Sequence, residues 1–186
     1  MVMKQLFYSP IPLCLAFEPI NLCNAKCFCC PYTEFSEDKT FITQKMSKEQ
    51  ITQLIENWAQ LLKKHKIKPW SVALLPWRYS DPLVNPHLGL VLELADKHQL
   101  NVSLTTNAVS FGKRQCDLLQ KYVHTLTKIF VSVIGFTEEE VWDQMKISRK
   151  KTFQSLEFVR DNYPQISSLM DVAVKNKSNM IKIILL

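Results

Sequence analysis

The stretch "EPINLCNAKCFCCPY", residues 18–32, contains four of the six cysteines in the chain. Three of them, Cys23, Cys27 and Cys30, have the spacing C-x3-C-x2-C, and Cys29 lies within it. Thiols packed this densely in a polar loop are more typical of a metal site than of an apolar core. The loop therefore predicts a bound metal group.

On either side of this loop, short apolar runs alternate with helical patterns. The runs predicted as strands are residues 14–17, 71–75, 102–106, 129–134 and 169–174, the first two as strands buried on both faces. Helix starts are predicted at Ser47 with Gln50, at Asn85 and Pro86, at Thr137 with Glu140, and at Ser148. The alternation indicates an α/β fold with parallel strands, and it places chemistry at the carboxyl ends of the strands. The cysteine loop follows the first strand, at one such end.

Composition indicates a single globular domain over residues 1–186, since 47% of the residues are hydrophobic and 22% are charged. An apolar run at residues 6–17 resembles a secretory signal, but Pro10 and Pro12 interrupt it and no small-residue cleavage site follows. No stretch reaches the length of about 18 apolar residues that a membrane span needs. We therefore expect a cytoplasmic protein without a membrane segment, where thiols stay reduced and more often bind metal than form disulfides.

The number of thiols bears on which metal group binds. A structural zinc ion takes four protein ligands, whereas three soft ligands suit a 4Fe-4S cluster with one iron left open. The spacing therefore favours iron-sulfur over zinc. Two alternatives stay open at this point. Cys29 could complete a zinc site, at the cost of strain beside Cys30, or all four cysteines could be core residues without metal.

The segment "NLCNAKCFCCP", residues 21–31, resembles the cluster loop of the radical S-adenosylmethionine (SAM) superfamily, whose pattern is C-x3-C-x-aromatic-C. The resemblance continues at residues 79–109, "YSDPLVNPHLGLVLELADKHQLNVSLTTNAV". This stretch is similar to the family's glycine-rich loop, helix, third strand and Thr-Asn-Gly turn. Residues 131–145, "VSVIGFTEEEVWDQM", are similar to its fourth strand and following helix. In all, the resemblance covers residues 13–174.

This resemblance implies a partial (β/α)6-type barrel with parallel strands and about five β/α units present. It implies that Cys23, Cys27 and Cys30 hold three irons of a 4Fe-4S cluster and that the amino and carboxylate groups of SAM chelate the fourth. One electron then cleaves SAM to methionine and a 5'-deoxyadenosyl radical, which abstracts hydrogen from an unknown substrate. A reductant such as a flavodoxin or ferredoxin is implied as a partner.

The resemblance also points to residues that would contact SAM. Ser80 and Asp81 lie in the loop after the second strand, Asn107 follows the third strand, and Ser132 is near the end of the fourth. Cys29 takes the position beside the cofactor that is usually aromatic. The chain departs from the family pattern at residues 79–81, where Tyr-Ser-Asp replaces Gly-Gly-Glu.

The carboxyl-terminal part also departs from the pattern. The family core has six β/α units, but here five strands are followed by "NKSNMIKIILL", residues 176–186. A sixth strand fits within "MIKIILL", but no helix fits before it. The chain therefore looks shortened. We expect the edge of the strand at residues 169–174 to be unpaired, and we expect self-association or a partner chain.

The net charge of +6 is concentrated partly in residues 63–68 and 149–151. The first group lies at a predicted helix carboxyl terminus, where cations offset the helix dipole. A nucleic-acid substrate is the less favoured explanation, because Trp70 and Trp77 are expected in the core or at the site rim. Two alternative functions remain: a non-catalytic iron-sulfur or zinc binding module, and a basic nucleic-acid-binding domain with structural cysteines.

Overall fold

The computed structural model describes residues 12–175 and the backbone of residues 181–184. Within these residues, six strands form one sheet in chain order: β1 Cys14–Ala16, β2 Ala73–Leu75, β3 Asn101–Thr106, β4 Leu126–Ile134, β5 Met170–Lys175 and β6 Ile181–Ile184. The first five are parallel, and β6 is antiparallel to β5. The predicted α/β fold with a five-stranded parallel sheet, consistent with a partial barrel, is confirmed.

Helices connect the parallel strands, so the carboxyl ends of β1 to β5 lie at one edge of the sheet. The α-helices in the described part of the chain are α1 Pro31–Glu37, α2 Lys48–Lys64, α3 Leu88–Lys97, α4 Lys113–Lys121, α5 Glu138–Met145, α6 Arg149–Asn162 and α7 Pro164–Ser167. Short 3-10 turns occur at Pro69–Ser71, Pro82–Val84 and Val123–Thr125. Within the described residues, no helix is both long and apolar enough to cross a membrane.

Three helix starts are fixed by side-chain caps, as the sequence predicts. The Ser47 hydroxyl accepts the Gln50 N–H at 3.2 Å, and the Gln50 side chain accepts the Ser47 N–H at 2.8 Å. Thr137 and Glu140 form the same reciprocal pair at 3.1 and 3.2 Å. Ser148 caps α6 with its hydroxyl. These caps give the helices defined starting points next to the strand ends.

In the described part of the chain, the helices cover only one face of the sheet. Along β4, Ile129, Val131 and Val133 are fully buried, whereas Phe130 and Ser132 between them point to the other face and Phe130 is 46% exposed. This open face explains why the prediction of a first strand buried on both faces was wrong. In β1, both Cys14 and Ala16 are exposed, because none of the described helices covers the inner face and β1 is at the edge of the described sheet.

Local chain geometry shifts two predicted boundaries. The second strand begins at Ala73 rather than at residue 71, because Pro69 starts a 3-10 turn over Pro69–Ser71. Helix α3 begins at Leu88 rather than at residues 85–86, because the Asn85 side chain accepts the His87 N–H in a turn before the helix.

The prediction that the last parallel strand has an unpaired edge was wrong. The backbone of β6 pairs with β5, and Val172 lies opposite Ile184 and Lys175 opposite Ile181. The antiparallel direction needs no helical crossover, which is why a strand fits there although no helix precedes it. The remaining residues of the terminal segment, 176–180 and 185–186, lie outside the described residues.

The prediction for Trp70 was wrong. Trp70, expected in the core or at the site rim, is 54% exposed at the end of the molecule opposite the cysteine loop. The basic group at residues 149–151 begins α6. The charges of Lys63 and Lys64 do lie in the last turn of α2, as expected.

Candidate active site

The cysteine loop lies across the carboxyl ends of the strands, where α5 holds it. Backbone N–H groups of Lys26 and Phe28 donate to the carbonyls of Met145 and Gln144, each at 2.8 Å. Within the loop, the Thr33 hydroxyl donates to the Cys27 carbonyl at 2.7 Å. The loop backbone is therefore anchored at two places: to α5, which is distant in sequence, and to the first turn of α1.

All eight residues singled out from the sequence line one cleft, here called the cysteine cleft. They are Cys23, Cys27, Cys29, Cys30, Ser80, Asp81, Asn107 and Ser132. They come from four parts of the chain: the loops after β1, β2 and β3, and β4 itself. Parallel strands bring these parts to one edge of the sheet, which is why residues more than 100 positions apart share a cleft. Trp77, predicted in the core or at the site rim, also lines this cleft.

The thiols are close enough to influence each other. Burial raises the pKa of Cys27 to about 12, and negative charge on Cys23, Cys29 or Cys30 raises this pKa as well. Burial likewise raises the pKa of Cys23 to about 11, against the opposing effect of the Ala25 N–H. Both thiols are therefore protonated near neutral pH in the metal-free chain. A bound cation would relieve the repulsion among the thiolates while displacing their protons.

The donor set of the cysteine loop consists of thiols, which is the ligand type that iron-sulfur clusters take. No three His, Cys, Asp or Glu side chains in the described part of the chain are placed to share one ion. A cluster binds each thiolate through a different iron, so its ligands need not meet at one point. Residues 21–31 contain thiols but no carboxylate or imidazole, and soft thiolate ligands suit iron-sulfur chemistry.

Asp81 joins the loop after β2 to the turn after β3. Its side chain is 2% exposed. One carboxylate oxygen accepts the Leu83 N–H at 2.9 Å, and the other accepts the Thr106 hydroxyl at 2.8 Å and the Asn107 N–H at 3.0 Å. Burial raises the pKa of Asp81, and these three hydrogen bonds oppose that rise. Three of about four acceptor positions of the carboxylate are thus filled, which leaves one for a ligand.

Asn107 links the turn after β3 to the cysteine loop. Its side-chain amide donates to the Asn24 side chain at 2.6 Å, and Asn24 in turn donates to the Ser110 hydroxyl at 2.8 Å. The Asn107 side-chain oxygen accepts the Val109 N–H at 3.0 Å. Asn107 is therefore engaged by the protein itself. The half-buried Ser132 differs, because within the described residues its hydroxyl has no partner and is free to bind a ligand.

Glu18 does not line the cleft, but it supports two residues that do, and the sequence reasoning missed it. Its carboxylate accepts the N–H groups of Tyr79 and Ser80, at 2.9 and 3.1 Å, and the Ser80 hydroxyl. Glu18 thus holds residues 79 and 80, where the chain departs from the family's Gly-Gly-Glu pattern. Its position just after the first strand could have indicated this role from the sequence, because a side chain there lies near the loops at the other strand ends.

A parallel β/α sheet with a three-cysteine loop at its strand ends defines the class of this protein. The Radical SAM superfamily matches residues 17–181, and the chain belongs to that superfamily. Membership of this superfamily implies that the protein is a radical SAM enzyme. The resemblance of the cysteine loop to this family is therefore confirmed.

Solved structures show the same fold. One is BtrN in complex with AdoMet and 2-DOIA, which is 17% identical with a TM-score of 0.53 over 88% of this chain and 70% of that chain. Another is SuiB of Streptococcus suis bound to S-adenosylmethionine, which is 16% identical with a TM-score of 0.56 over 91% of this chain and 41% of that chain. The chain thus spans about two fifths of the length of SuiB. No curated protein sequence matches it.

Proposed function

We propose that this chain uses Cys23, Cys27 and Cys30 to hold a 4Fe-4S cluster and binds SAM in the cysteine cleft. One observation carries the proposal: the three cysteines share this cleft with polar groups from three other strand ends. Such convergence at the carboxyl edge of a parallel sheet is the arrangement expected of an active site in a β/α fold. Cys29, which is exposed, lies beside the cofactors in this proposal and is not a ligand.

Cys23, Cys27 and Cys30 would hold the cluster, which when bound would supply one electron for the reductive cleavage of SAM, and the chemistry started in this way would act on a substrate still to be identified. The residues of the chain hold and orient the reactants. The free hydroxyl of Ser132 and the remaining acceptor position of Asp81 bind polar groups of SAM. Asn107 and Glu18 act as positioning residues, because their side chains fix the cysteine loop and the loop after β2.

Radical SAM enzymes need a reductant, and we propose a flavodoxin or ferredoxin for this role. A cytoplasmic location, where thiols stay reduced, remains part of the same proposal. The net charge of +6 keeps a nucleic-acid substrate open as a less favoured alternative.

The first test is iron content after anaerobic reconstitution. We expect about four irons per parent chain, as for one 4Fe-4S cluster, and loss of most of that iron in single alanine variants of Cys23, Cys27 and Cys30. The matched controls are alanine variants of Cys14, Cys29 and Cys116, which should keep it. Full iron content in the Cys27 variant would refute the ligand assignment, and loss of iron in the Cys29 variant would reassign the ligands.

The second test is formation of 5'-deoxyadenosine from SAM with dithionite as reductant. We expect the parent chain to form it and the Cys27→Ala variant not to form it. A chain that holds four irons but neither binds nor cleaves SAM would instead be a non-catalytic iron-sulfur module. Zinc in place of iron after expression and reconstitution would support the structural-metal alternative.

A further inference from the structure

A second concave space, partly open to solvent, lies between the starts of α3 and α4 and is here called the α3–α4 cavity. Its volume is about 170 Å3, and its lining includes Leu83, Asn85, Gly89, Arg114 and Gln115. Because α3 and α4 follow β2 and β3, the cavity lies at the same edge of the sheet as the cysteine cleft. The loop containing Asp81 and Asn85 separates the two spaces.

Asn85 provides a donor in this lining that the protein does not use. Its side chain is 6% exposed. The side-chain oxygen accepts the His87 N–H at 2.9 Å, which fixes the orientation of the amide. Its Nδ2 is buried and has no hydrogen-bond partner among the described residues. A buried donor without a hydrogen-bond partner destabilises the fold. A ligand with acceptor oxygens would supply the missing hydrogen bond.

The surroundings of this donor are electropositive. Helices α3 and α4 both begin at the cavity, and neither start has a side-chain cap or an acidic residue in its first turn. The positive ends of two helix dipoles therefore face the cavity without compensation. Arg114 is the one charged residue in its lining, and in the described part of the chain its guanidinium has no acidic partner.

We propose that the α3–α4 cavity binds a phosphate group. A phosphate carries enough acceptor oxygens to receive hydrogen bonds from Asn85 Nδ2, from the Arg114 guanidinium and from backbone N–H groups of both helix starts at once. A singly charged carboxylate has fewer acceptors for this set of donors. The phosphate comes either from solution or from a larger molecule. The proposal goes beyond SAM chemistry and does not depend on the cluster.

The test is titration of the full chain with inorganic phosphate at constant ionic strength. Calorimetry and the shifts of amide NMR signals measure the affinity for phosphate. We expect Arg114→Ala to weaken binding by about 10- to 100-fold, because a charge-assisted contact is lost. We expect Asn85→Asp to weaken it at least as much, because this change keeps the acceptor for His87 but replaces the donor with a negative charge. Lys113→Ala is the matched control: it removes the same charge one residue away, outside the cavity lining, and should change affinity by less than about twofold.

Parallel titrations with glycerol 3-phosphate and acetate define the ligand. Tighter binding of glycerol 3-phosphate would support a phosphate carried by a larger molecule, and tighter binding of inorganic phosphate would support the free ion. The proposal is overturned if phosphate does not bind, if acetate binds equally well, if the Arg114 and Lys113 variants lose equal affinity, or if Asn85→Asp binds like the parent. Since Arg114 is exposed, its variant should fold and give an interpretable result.

Discussion

At the residue scale, two carboxylates organise the cysteine cleft from within the protein. Glu18 accepts donors from Tyr79 and Ser80 across 61 and 62 positions of sequence, and Asp81 accepts donors from Thr106 and Asn107 across 25 and 26 positions. Glu18 joins the end of β1 to the loop after β2, and Asp81 joins that loop to the end of β3. Their first effect is therefore to fix the shape of the cleft, whether or not they also contact SAM.

We expect Asp81→Ala to lower the free energy of unfolding of the metal-free chain by about 1–3 kcal/mol, because three donors lose their acceptor while the cost of burying the carboxylate is removed as well. Urea denaturation measures the change. Asp161→Ala is the control, because among the described residues this exposed carboxylate pairs only with the exposed Arg160, and its loss should cost less than about 1 kcal/mol. Equal losses in the two variants would contradict the structural role of Asp81.

One buried thiol, Cys116, and two half-buried thiols, Cys23 and Cys27, give the metal-free chain a distinctive pH dependence. The pKa values of Cys23 and Cys116 are raised to about 11, and that of Cys27 to about 12, from an ordinary value of 9.0, in each case mainly by burial. Above pH 9 the unfolded chain releases these protons while the folded chain keeps them. Stability is therefore fully present below pH 9 and is lost as the pH rises toward 11 to 12, with a slope of about 1.4 kcal/mol per pH unit for each thiol.

Urea denaturation at several pH values checks this expectation. The parent should lose stability more steeply above pH 9 than the Cys27→Ala and Cys116→Ala variants, each of which lacks one of these thiols. Comparing variants removes the contributions of other titrating groups, which all of them share. Identical slopes in all three proteins would show that these thiols do not control stability at alkaline pH.

At the element scale, the turn between β4 and α5 matters most for the site, because α5 holds the cysteine loop. Gly135 in this turn has a φ of +124°, and an added Cβ would lie 2.7 Å from the Val141 N and 2.8 Å from the Glu140 carbonyl carbon. Only glycine adopts this backbone shape at little cost. The carbonyls of Gln144 and Met145 that anchor the cysteine loop lie at the other end of the same helix.

We expect Gly135→Ala to destabilise the chain by about 2 kcal/mol or more, because strained backbone and a steric clash add together. Iron uptake should fall with it, since α5 shifts relative to the loop. Gly89→Ala in α3 is the matched control: its Cβ would lie 3.4 Å from Leu118 in ordinary contact, and alanine favours helix by about 0.5–1 kcal/mol. The expectation fails if thermal and urea denaturation show the Gly135 variant to be as stable as the parent.

At the scale of the whole molecule, β6 changes the expected edge of the sheet. β6 pairs with β5 and covers the strand edge that the sequence predicts to be unpaired. An unpaired β5 edge is therefore no longer a reason to expect self-association. The inner face of the sheet remains uncovered in the described residues, and Phe130 lies on it. Self-association or a partner chain therefore stays a prediction, now based on this open face and not on β5.

Truncation at Lys175 separates the effect of the β5 edge on self-association from the effect of the open inner face. A chain ending there exposes the β5 edge, so we expect it to lose stability and to self-associate more strongly than the full chain. Light scattering after size-exclusion chromatography, at matched concentrations, measures the mass of both chains. If the truncated chain is as stable and as monodisperse as the parent, the β6 pairing does not protect the sheet.

The sequence by itself determined the local features of this protein. The spacing of Cys23, Cys27 and Cys30 indicated the family, and β/α alternation indicated a parallel sheet with its chemistry at the strand ends. The reciprocal caps at Ser47 and Thr137 marked helix starts to the residue. These features are readable because each depends on residues within one turn of helix, one strand or one loop.

The tertiary structure alone decided which groups of the site are already engaged and which are free. The links from Glu18 to Ser80, from Asn107 to Asn24 and from the cysteine loop to Gln144 join residues 62, 83 or more than 100 positions apart. The direction of β6 and the open inner face likewise depend on how distant segments meet. No periodicity records such contacts, because their energy comes from pairing groups that are neighbours only after the chain has folded.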